Sequence, residues 1–258
     1  MKPRVLGIDP APGKGLIVFD PEPSDGKHYF CIKSENARRW LDEQREAGPL
    51  LIGWDAPIFA DFALGYTARP IEEFLRGRLG TAVSVLGFSG CPHWTISLDV
   101  LGRPVPEWFK FERDTRLPLL VPGAAVEGGG VMETHPAVAL AVLVDGELEK
   151  YKGDTVGVVE ARCREIHASL APRIAKCLDI EWIPLPPKKP SGTGWDDLLD
   201  AQVSYACVEA AAQAQAILLG DKNGGFVVPK TEWAEQLQRE FEAWRDEQKN
   251  TRKKGMKR

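Results

Sequence analysis

Two short apolar runs in this chain each end in an aspartate, and they limit the fold more than any other feature. Residues 5–8 lead into Asp9, and residues 50–54 lead into Asp55. Runs of this length, rich in Val, Leu and Ile, predict buried strands. A carboxylate at the end of a buried strand is costly unless a cation meets it. The two runs therefore predict an α/β protein in which strand-end acids form a site.

The order of the elements around these two runs is also informative. Strands are predicted at 4–9, 16–19 and 29–32, where they would form an antiparallel meander. A helix at 35–47 and a fourth strand at 50–54 follow, and the apolar fourth strand is expected to be central and parallel. The sequence thus predicts a mixed sheet with a β-β-β-α-β core and flanking helices.

The remainder of the chain is predicted to add a cap and a series of helices. A proline-rich and aromatic region at about 58–130 predicts an inserted cap, whose rings would either stack on unpaired bases or form a small core. We predict one domain over residues 1–248. Its further elements are helices at 70–79, 136–143, 156–171, 195–219 and 232–248, a strand at 131–133, and extended pieces at 180–183 and 226–229.

Composition and charge exclude several classes of protein. The five cysteines are scattered and include no CxxC pair, which predicts reduced thiols in a cytoplasmic protein and no zinc ribbon. No stretch approaches ~18 consecutive apolar residues, so we expect no membrane partner. The net charge is −4, although residues 249–258 hold six basic residues and no acid. The body is therefore acidic, unlike a general nucleic-acid binder, and the basic tail either contacts phosphates or is a disordered, solubilising end.

Two more aspartates open the predicted helix at 195–219. Asp197 and Asp200 lie three residues apart and so share one helical face. They also fall near the start of the helix, where its dipole favours negative charge. Helix capping, with Asp196 as another candidate, therefore competes with a functional interpretation of this pair.

A third strand end adds Glu133 to the candidate acids, because its setting matches that of Asp9 and Asp55. His135 follows two residues later, directly before a proline. It is interpreted either as a turn or cap residue or as a metal ligand or general base.

Gathered together, these acids would suit metal-dependent chemistry. Oxygen ligands from separate elements favour Mg²⁺ or Mn²⁺. Two such ions about 4 Å apart support phosphoryl transfer, in which one lowers the pKa of a bound water and the other stabilises the leaving 3′ oxygen. No Ser or Cys nucleophile motif is recognisable, which agrees with direct hydrolysis. The catalytic candidates are Asp9, Asp55, Glu133, Asp197 and Asp200.

Basic residues near the predicted site are candidates for substrate binding. Arg69, Arg76 and Arg78 fall in the cap, where they would either hold substrate phosphates or form a solvated basic face. Lys14 lies in the turn at 10–15, which would either cradle a nucleotide phosphate or make a hairpin turn with glycine at positive φ. The turn is not a P-loop, because the GxxxxGK[ST] pattern is absent.

Four short motifs occur in an order that resembles a known family. They are Gly7-Ile8-Asp9-Pro10, Asp55-Ala56-Pro57, Glu133-Thr134-His135-Pro136 and Asp196-Asp197-Leu198-Leu199-Asp200-Ala201. Together, over residues 4–229, they resemble the domain-of-unknown-function family number 429, whose members look like ribonuclease H-fold proteins and have been predicted to be nucleases. The first and last motifs are also similar to those of RuvC-type junction resolvases.

This resemblance implies a ribonuclease H-like α/β fold and a nuclease that uses Mg²⁺ or Mn²⁺ and acts on nucleic acid. It implies Asp9, Asp55 and Asp200 as the metal triad, with Asp197 and Glu133 as supporting acids. The acidic body and large cap depart from the basic groove of a resolvase, so a junction-cleaving role is not expected.

Two alternatives to a nuclease remain open at this point. An actin-like nucleotide-binding phosphotransferase would use the turn at 10–15 to hold phosphate, and nucleotide would stabilise it. A non-catalytic module would keep the fold and bind nucleic acid or protein through the cap and the basic tail.

Overall fold

The computed structural model describes residues 2–11, 13–58, 69–76, 78–79, 97, 99–101, 119–146, 148–221 and 224–255. Much of the predicted cap at 58–130 and its aromatic residues lies outside these ranges. The described part of the cap includes one helix, which ends at Arg76 where the prediction continued to residue 79.

A five-stranded mixed sheet forms the centre of the described chain. Its order is β3-β2-β1-β4-β5. The first three strands pair antiparallel, whereas β4 pairs parallel with both β1 and β5. The mixed sheet with a β-β-β-α-β core is therefore confirmed. Its strands are β1 (Arg4–Ala11), β2 (Gly15–Phe19), β3 (Tyr29–Ile32), β4 (Leu50–Trp54) and β5 (Gly130–Glu133).

Among the described residues, six helices with defined bounds and a separate hairpin surround or extend this sheet. The hairpin joins β6 (Ala216–Asp221) to β7 (Gly224–Pro229) in antiparallel pairing. Within the described ranges, none of the helices combines the length and apolar character needed to cross a membrane. The helices are α1 (Ser34–Ala47), α2 (Pro70–Arg76), α3 (Pro136–Leu143), α4 (Val156–Cys177), α5 (Trp195–Ala212) and α6 (Glu232–Gly255).

Helix α5 is buried almost all round and lies very close to the sheet. A Cβ at Gly7 would come within 1.8 Å of the Ala201 carbonyl oxygen, and one at Gly53 within 2.2 Å of the Ser204 carbonyl oxygen. Glycine at these two strand positions thus lets the helix backbone approach β1 and β4. Each glycine lies two residues before an acid, Gly7 before Asp9 and Gly53 before Asp55. The close approach therefore also brings the start of the helix toward those acids.

The direction of α5 follows from its contacts along β1. Near the start of β1, Lys2 Nζ lies 3.3 Å from Glu209 Oε1, at the end of the helix. Farther along β1, Gly7 faces Ala201. The helix therefore runs antiparallel to β1, and its first turns lie at the carboxyl end of that strand.

Alternation along the strands assigns the side chains to two cores. Val5 and Leu51 belong to the core that includes α5, whereas Leu6 and Ile52 belong to the smaller core that includes α1. Because side chains alternate between the faces of a strand, Asp9 continues the series that begins at Val5. The strand pattern therefore directs Asp9 toward α5.

The helix predicted at 195–219 is wrong in its last third. Helix α5 ends at Ala212, and Ala214 then adopts a φ of 56°. Residues predicted as helix beyond that point form β6 and pair with β7. The extended piece predicted at 226–229 is confirmed as part of β7. The run of alanines obscured this boundary, since alanine favours helix at every position.

The extended piece predicted at 180–183 is not a strand. Its Ile183 carbonyl accepts hydrogen bonds from His167 Nε2 at 2.9 Å and from Gln202 Nε2 at 2.8 Å. Side chains of two helices thus provide the hydrogen bonds that a neighbouring strand would have supplied.

Helix α4 is longer than predicted: the prediction ended at residue 171, but the helix continues through Pro172 to Cys177. Leu170 and Ile174 are both fully buried, so the apolar stripe continues across the proline. Packing therefore outweighs the loss of the backbone hydrogen bond that proline cannot donate.

The last helix, α6, continues to Gly255 and so extends into the basic segment, for which a disordered tail is one of the two predictions.

Candidate active site

Asp9 and Asp55 lie at one edge of the sheet, as the sequence predicts. Asp9 is buried within β1 and is in register with Ile17 of β2, and Asp55 directly follows β4. The Asp55 backbone N–H donates a 2.9 Å hydrogen bond to the Ile8 carbonyl. This bond continues the parallel pairing by one residue and fixes Asp55 beside the end of β1.

Asp200 approaches from helix α5 and is the most buried of the three acids, with 1 % of its surface exposed. Its Oδ1 accepts a 2.7 Å hydrogen bond from the Tyr151 hydroxyl, and its Oδ2 forms an ion pair with Lys152 Nζ. Two consecutive residues in the segment between α3 and α4 thus hold both of its carboxylate oxygens.

The three aspartates affect one another electrostatically. Burial raises the pKa of Asp9 well above its usual value, and the charges of Asp55 and Asp200 raise it further. Burial and then Asp200 raise the pKa of Asp55 in the same way, against an opposing effect of Lys152. Burial also raises the pKa of Asp200, which Lys152 and Tyr151 partly offset. Like charges produce such effects only where carboxylates are close together.

Asp197 has a structural role as well as a place beside these acids. Its Oδ2 accepts a 2.5 Å hydrogen bond from the Gly194 backbone N–H, which caps the start of α5. The same oxygen lies 2.8 Å from Lys14 Nζ. The capping interpretation of Asp197 is therefore confirmed, while a catalytic role for it stays a prediction.

The turn at 10–15 has the geometry of a tight hairpin. Ala11 and Gly15 are in register, the Lys14 N–H donates a 3.0 Å bond to the Ala11 carbonyl, and Gly13 has a φ of 80°. The hairpin interpretation is thus confirmed, and the ammonium of Lys14 points to Asp197. Contact of Lys14 with substrate stays a prediction.

Replacement of Lys14 by methionine is expected to lower the free energy of unfolding by less than about 1 kcal/mol, because a half-exposed ion pair contributes little. The Lys14 side chain is 46 % exposed, against 75 % for Lys27, which provides the control K27M. Urea denaturation at low and high salt would measure both. A loss above about 2 kcal/mol would show that the pair to Asp197 stabilises the fold far more than its exposure indicates.

Glu133 is buried but is bound to neighbours other than the three aspartates. Its Oε1 lies 2.5 Å from Arg69 Nη1, and its Oε2 accepts a 2.9 Å bond from the Ile58 backbone N–H. In the sheet, Glu133 is in register with Trp54, so its side chain leaves β5 on the face opposite to Met132. Glu133 thus joins an internal ion network, and its catalytic role stays a prediction.

Arg69, a candidate for substrate binding, is buried among acidic and aromatic partners. It is 4 % exposed and pairs with Glu133 and, at 2.7 Å, with Glu72. Its guanidinium also lies 5.1 Å from the centroid of the Phe226 ring. Charges buried in this way need such partners, so Arg69 has an internal structural role, and its contact with substrate phosphates stays a prediction.

Three further residues singled out in the sequence are Arg76, which is exposed, and Arg78 and His135, which contact aromatic rings. Arg76 is exposed near the end of α2, and its role in substrate binding stays a prediction. Arg78 stacks on Phe74, with 3.8 Å between the guanidinium carbon and the ring centroid. His135 is the N-cap residue of α3, although its side chain makes no capping hydrogen bond, and its ring packs edge-on against Phe226.

Sequence reasoning missed Tyr151 and Lys152. They lie in a polar segment without helical or strand periodicity, where a lysine ordinarily indicates solvent exposure. The only signal is local, a tyrosine between two lysines. Their role becomes visible only when the segment packs against Asp200.

The donor set suits a hard divalent cation, because it consists of carboxylate oxygens whose mutual repulsion such an ion would relieve. In the arrangement seen here, however, no three His, Cys, Asp or Glu side chains of the described residues are grouped as a metal site. The Lys152 ammonium is the cation that contacts Asp200.

Comparisons with known proteins provide no relative for this chain. No family model, no curated protein and no solved structure matches it.

Proposed function

We propose that this chain is a divalent-metal-dependent nuclease with a ribonuclease H-like fold, related to the family it resembles in sequence. The observation that carries the proposal is the placement of Asp9 and Asp55 at the carboxyl ends of two adjacent parallel strands, with Asp200 on the helix that packs against them. Carboxylates gathered in this way oppose folding unless protons or a cation offset their charge. Perturbed acids of this kind are typical of functional sites.

The proposed reaction is hydrolysis of a phosphodiester. The oxygen of a water bonds to phosphorus while the bond from phosphorus to the 3′ oxygen breaks; the water releases a proton to solvent, and the leaving 3′ oxygen takes up a proton from solvent to become a hydroxyl. Mg²⁺ or Mn²⁺, when bound, would make the attacking water more acidic and balance the charge on the phosphate. Asp9, Asp55 and Asp200 would hold the ion, and the Tyr151 hydroxyl orients Asp200 for that task.

Covalent catalysis by a thiol is less consistent with the described cysteines. Burial raises the pKa of Cys163 to about 12 and that of Cys207 further. Burial also raises the pKa of Cys31. A thiol that stays protonated at neutral pH is a poor nucleophile, which supports direct hydrolysis by water.

The proposed function predicts cleavage of nucleic acid that depends on the metal. Purified protein would be incubated with labelled RNA, single-stranded DNA, duplex DNA and an RNA–DNA hybrid, in Mn²⁺, in Mg²⁺ or in EDTA. We expect at least one polymer to be cleaved with metal and none in EDTA. D55N should remove the activity, whereas D179N, at an exposed aspartate, should retain it.

The D55N variant guards against a contaminating nuclease, because the activity of a contaminant would persist in that preparation. The D179N control shows that replacing an aspartate elsewhere does not by itself remove the activity. Intact polymers under every condition, together with no detectable Mn²⁺ binding by calorimetry, would rule out the nuclease proposal.

A further inference from the structure

Lys152 reaches the carboxylates from a position partly open to solvent. Its side chain is 47 % exposed, whereas that of Asp200 is 1 % exposed. Its Nζ forms an ion pair with Asp200 Oδ2, and the preceding residue, Tyr151, occupies the other oxygen. Lys152 and Tyr151 thus occupy both carboxylate oxygens of the buried acid, so a cation that binds Asp200 must share Oδ2 with the ammonium or compete for it.

The charge of Lys152 acts on more than its direct partner. Burial alone lowers the pKa of Lys152, but Asp200, Tyr151, Asp55 and Asp9 together outweigh that effect and raise it well above the usual value. In return, Lys152 opposes the rise in the pKa of both Asp9 and Asp55. The ammonium therefore contacts Asp200 and also favours the ionised forms of Asp9 and Asp55.

This relation distinguishes Lys152 from the other lysine beside the site. Lys14 forms its hydrogen bond and ion pair with Asp197, the acid that also caps α5. Lys152 instead contacts Asp200, the acid most deeply buried in the cluster. The two lysine side chains are almost equally exposed, so they differ in their partners: Asp197 caps a helix, whereas Asp200 belongs to the proposed metal triad.

The count of charges limits the number of ions. Three carboxylates carry three negative charges, which one divalent ion and one ammonium balance. Two divalent ions beside the ammonium would leave two positive charges in excess. Such an excess opposes binding of the second ion in a buried site, where charges interact more strongly than in water.

We propose that the Lys152 ammonium takes one cation position of the Asp9–Asp55–Asp200 cluster, so that the site binds a single divalent ion rather than the two expected from its acids. The inference rests on the proposed function, because it assumes that this cluster binds metal. Lys152 is then a positioning residue: it acts through Asp200 and through the charge balance of the site.

Calorimetric titration with Mn²⁺ tests the proposal by counting ions on the full-length chain. We expect one ion per wild-type chain and two per K152M chain, because methionine keeps the length of the side chain and removes the charge. K152R should return to one ion, since the positive charge is restored. The matched control is K150M, at an exposed lysine two residues earlier, which should bind one ion.

The outcomes separate this inference from the nuclease proposal. Two ions on the wild-type chain, or one ion on a folded K152M chain, would overturn the role of Lys152 and leave the nuclease proposal standing. No ion on the wild-type chain would overturn both. Circular dichroism shows whether K152M is folded; if it is not, the ion counts of the wild type and K152R decide the question.

Discussion

Replacement of Asp9 by asparagine is expected to abolish hydrolysis and, in metal-free buffer at neutral pH, to stabilise the fold. The loss of activity should exceed about 100-fold, because loss of even an outer partner of a metal ligand costs 10–100-fold. The free energy of unfolding should rise by about 0.5–3 kcal/mol, the usual size of a single-substitution effect, because asparagine removes the repulsion by Asp55 and Asp200. Gain of stability with loss of function is typical of a residue retained for chemistry.

The stability difference between D9N and the wild type should depend on pH in a definite direction. Burial and the neighbouring acids raise the pKa of Asp9 above 3.8 in the folded state, so the folded state holds a proton that the unfolded state has released. The stability contributed by that proton is fully present below about pH 4 and is lost as the pH rises through the folded-state pKa. The advantage of D9N should therefore be small near pH 4 and grow toward neutral pH.

Thermal denaturation between pH 4 and pH 8, with and without Mn²⁺, would measure these effects. Saturating Mn²⁺ should stabilise the wild type more than D9N, because an ion that binds only the folded state raises its stability. The exposed substitution D179N should follow the wild type throughout. A D9N protein that is less stable than the wild type at pH 8 in EDTA would show that the Asp9 carboxylate is already balanced in the fold.

The part of the site that could be predicted from sequence is the part set by the strands. The apolar runs before Asp9 and Asp55 identify two buried strands, and the apolar character of the second, which follows a predicted helix, indicates a central parallel strand. Parallel neighbours end at the same edge of a sheet, so the two acids had to meet there. Their shared edge is a consequence of local patterns, which a single sequence displays.

Other parts could not be predicted because they depend on tertiary packing. The positive φ of Ala214 ends α5 at a residue that favours helix, and the hairpin of β6 and β7 follows it. Lys152 sits in a segment without periodicity, and its ion pair with Asp200 spans two elements that are distant in sequence. Glu133 ends a strand as Asp9 nearly does, but its register with Trp54 places its side chain on the opposite face of the sheet, where it pairs with Arg69.

Replacement of Gly7 by alanine is expected to lower the free energy of unfolding by about 3 kcal/mol or more. A Cβ at this position would lie 1.8 Å from the Ala201 carbonyl oxygen and 2.5 Å from the Tyr205 backbone nitrogen. Both are backbone atoms of α5, so a change of side-chain rotamer does not relieve the overlap. The helix must move as a unit, and overpacking of a close interface typically costs about 1–3 kcal/mol or more.

Urea denaturation followed by circular dichroism would measure the loss, and G53A should act in the same direction through the Ser204 carbonyl. G157A is the control: Gly157 lies in α4 with no atom within 4 Å of a built Cβ. There alanine should be neutral or stabilise by about 0.5–1 kcal/mol, since it favours helix over glycine. Equal stability of G7A and the wild type would mean that α5 can withdraw from β1 without cost.

The same substitution should weaken Mn²⁺ binding in whatever fraction of the protein stays folded. Ala201, the residue that the new methyl group displaces, directly follows Asp200, so a shift of the helix moves that carboxylate away from Asp9 and Asp55. D9N and G7A therefore have opposite effects on stability and the same effect on metal binding. That contrast separates the acid that would bind the ion from the glycine that lets the helix bring Asp200 to it.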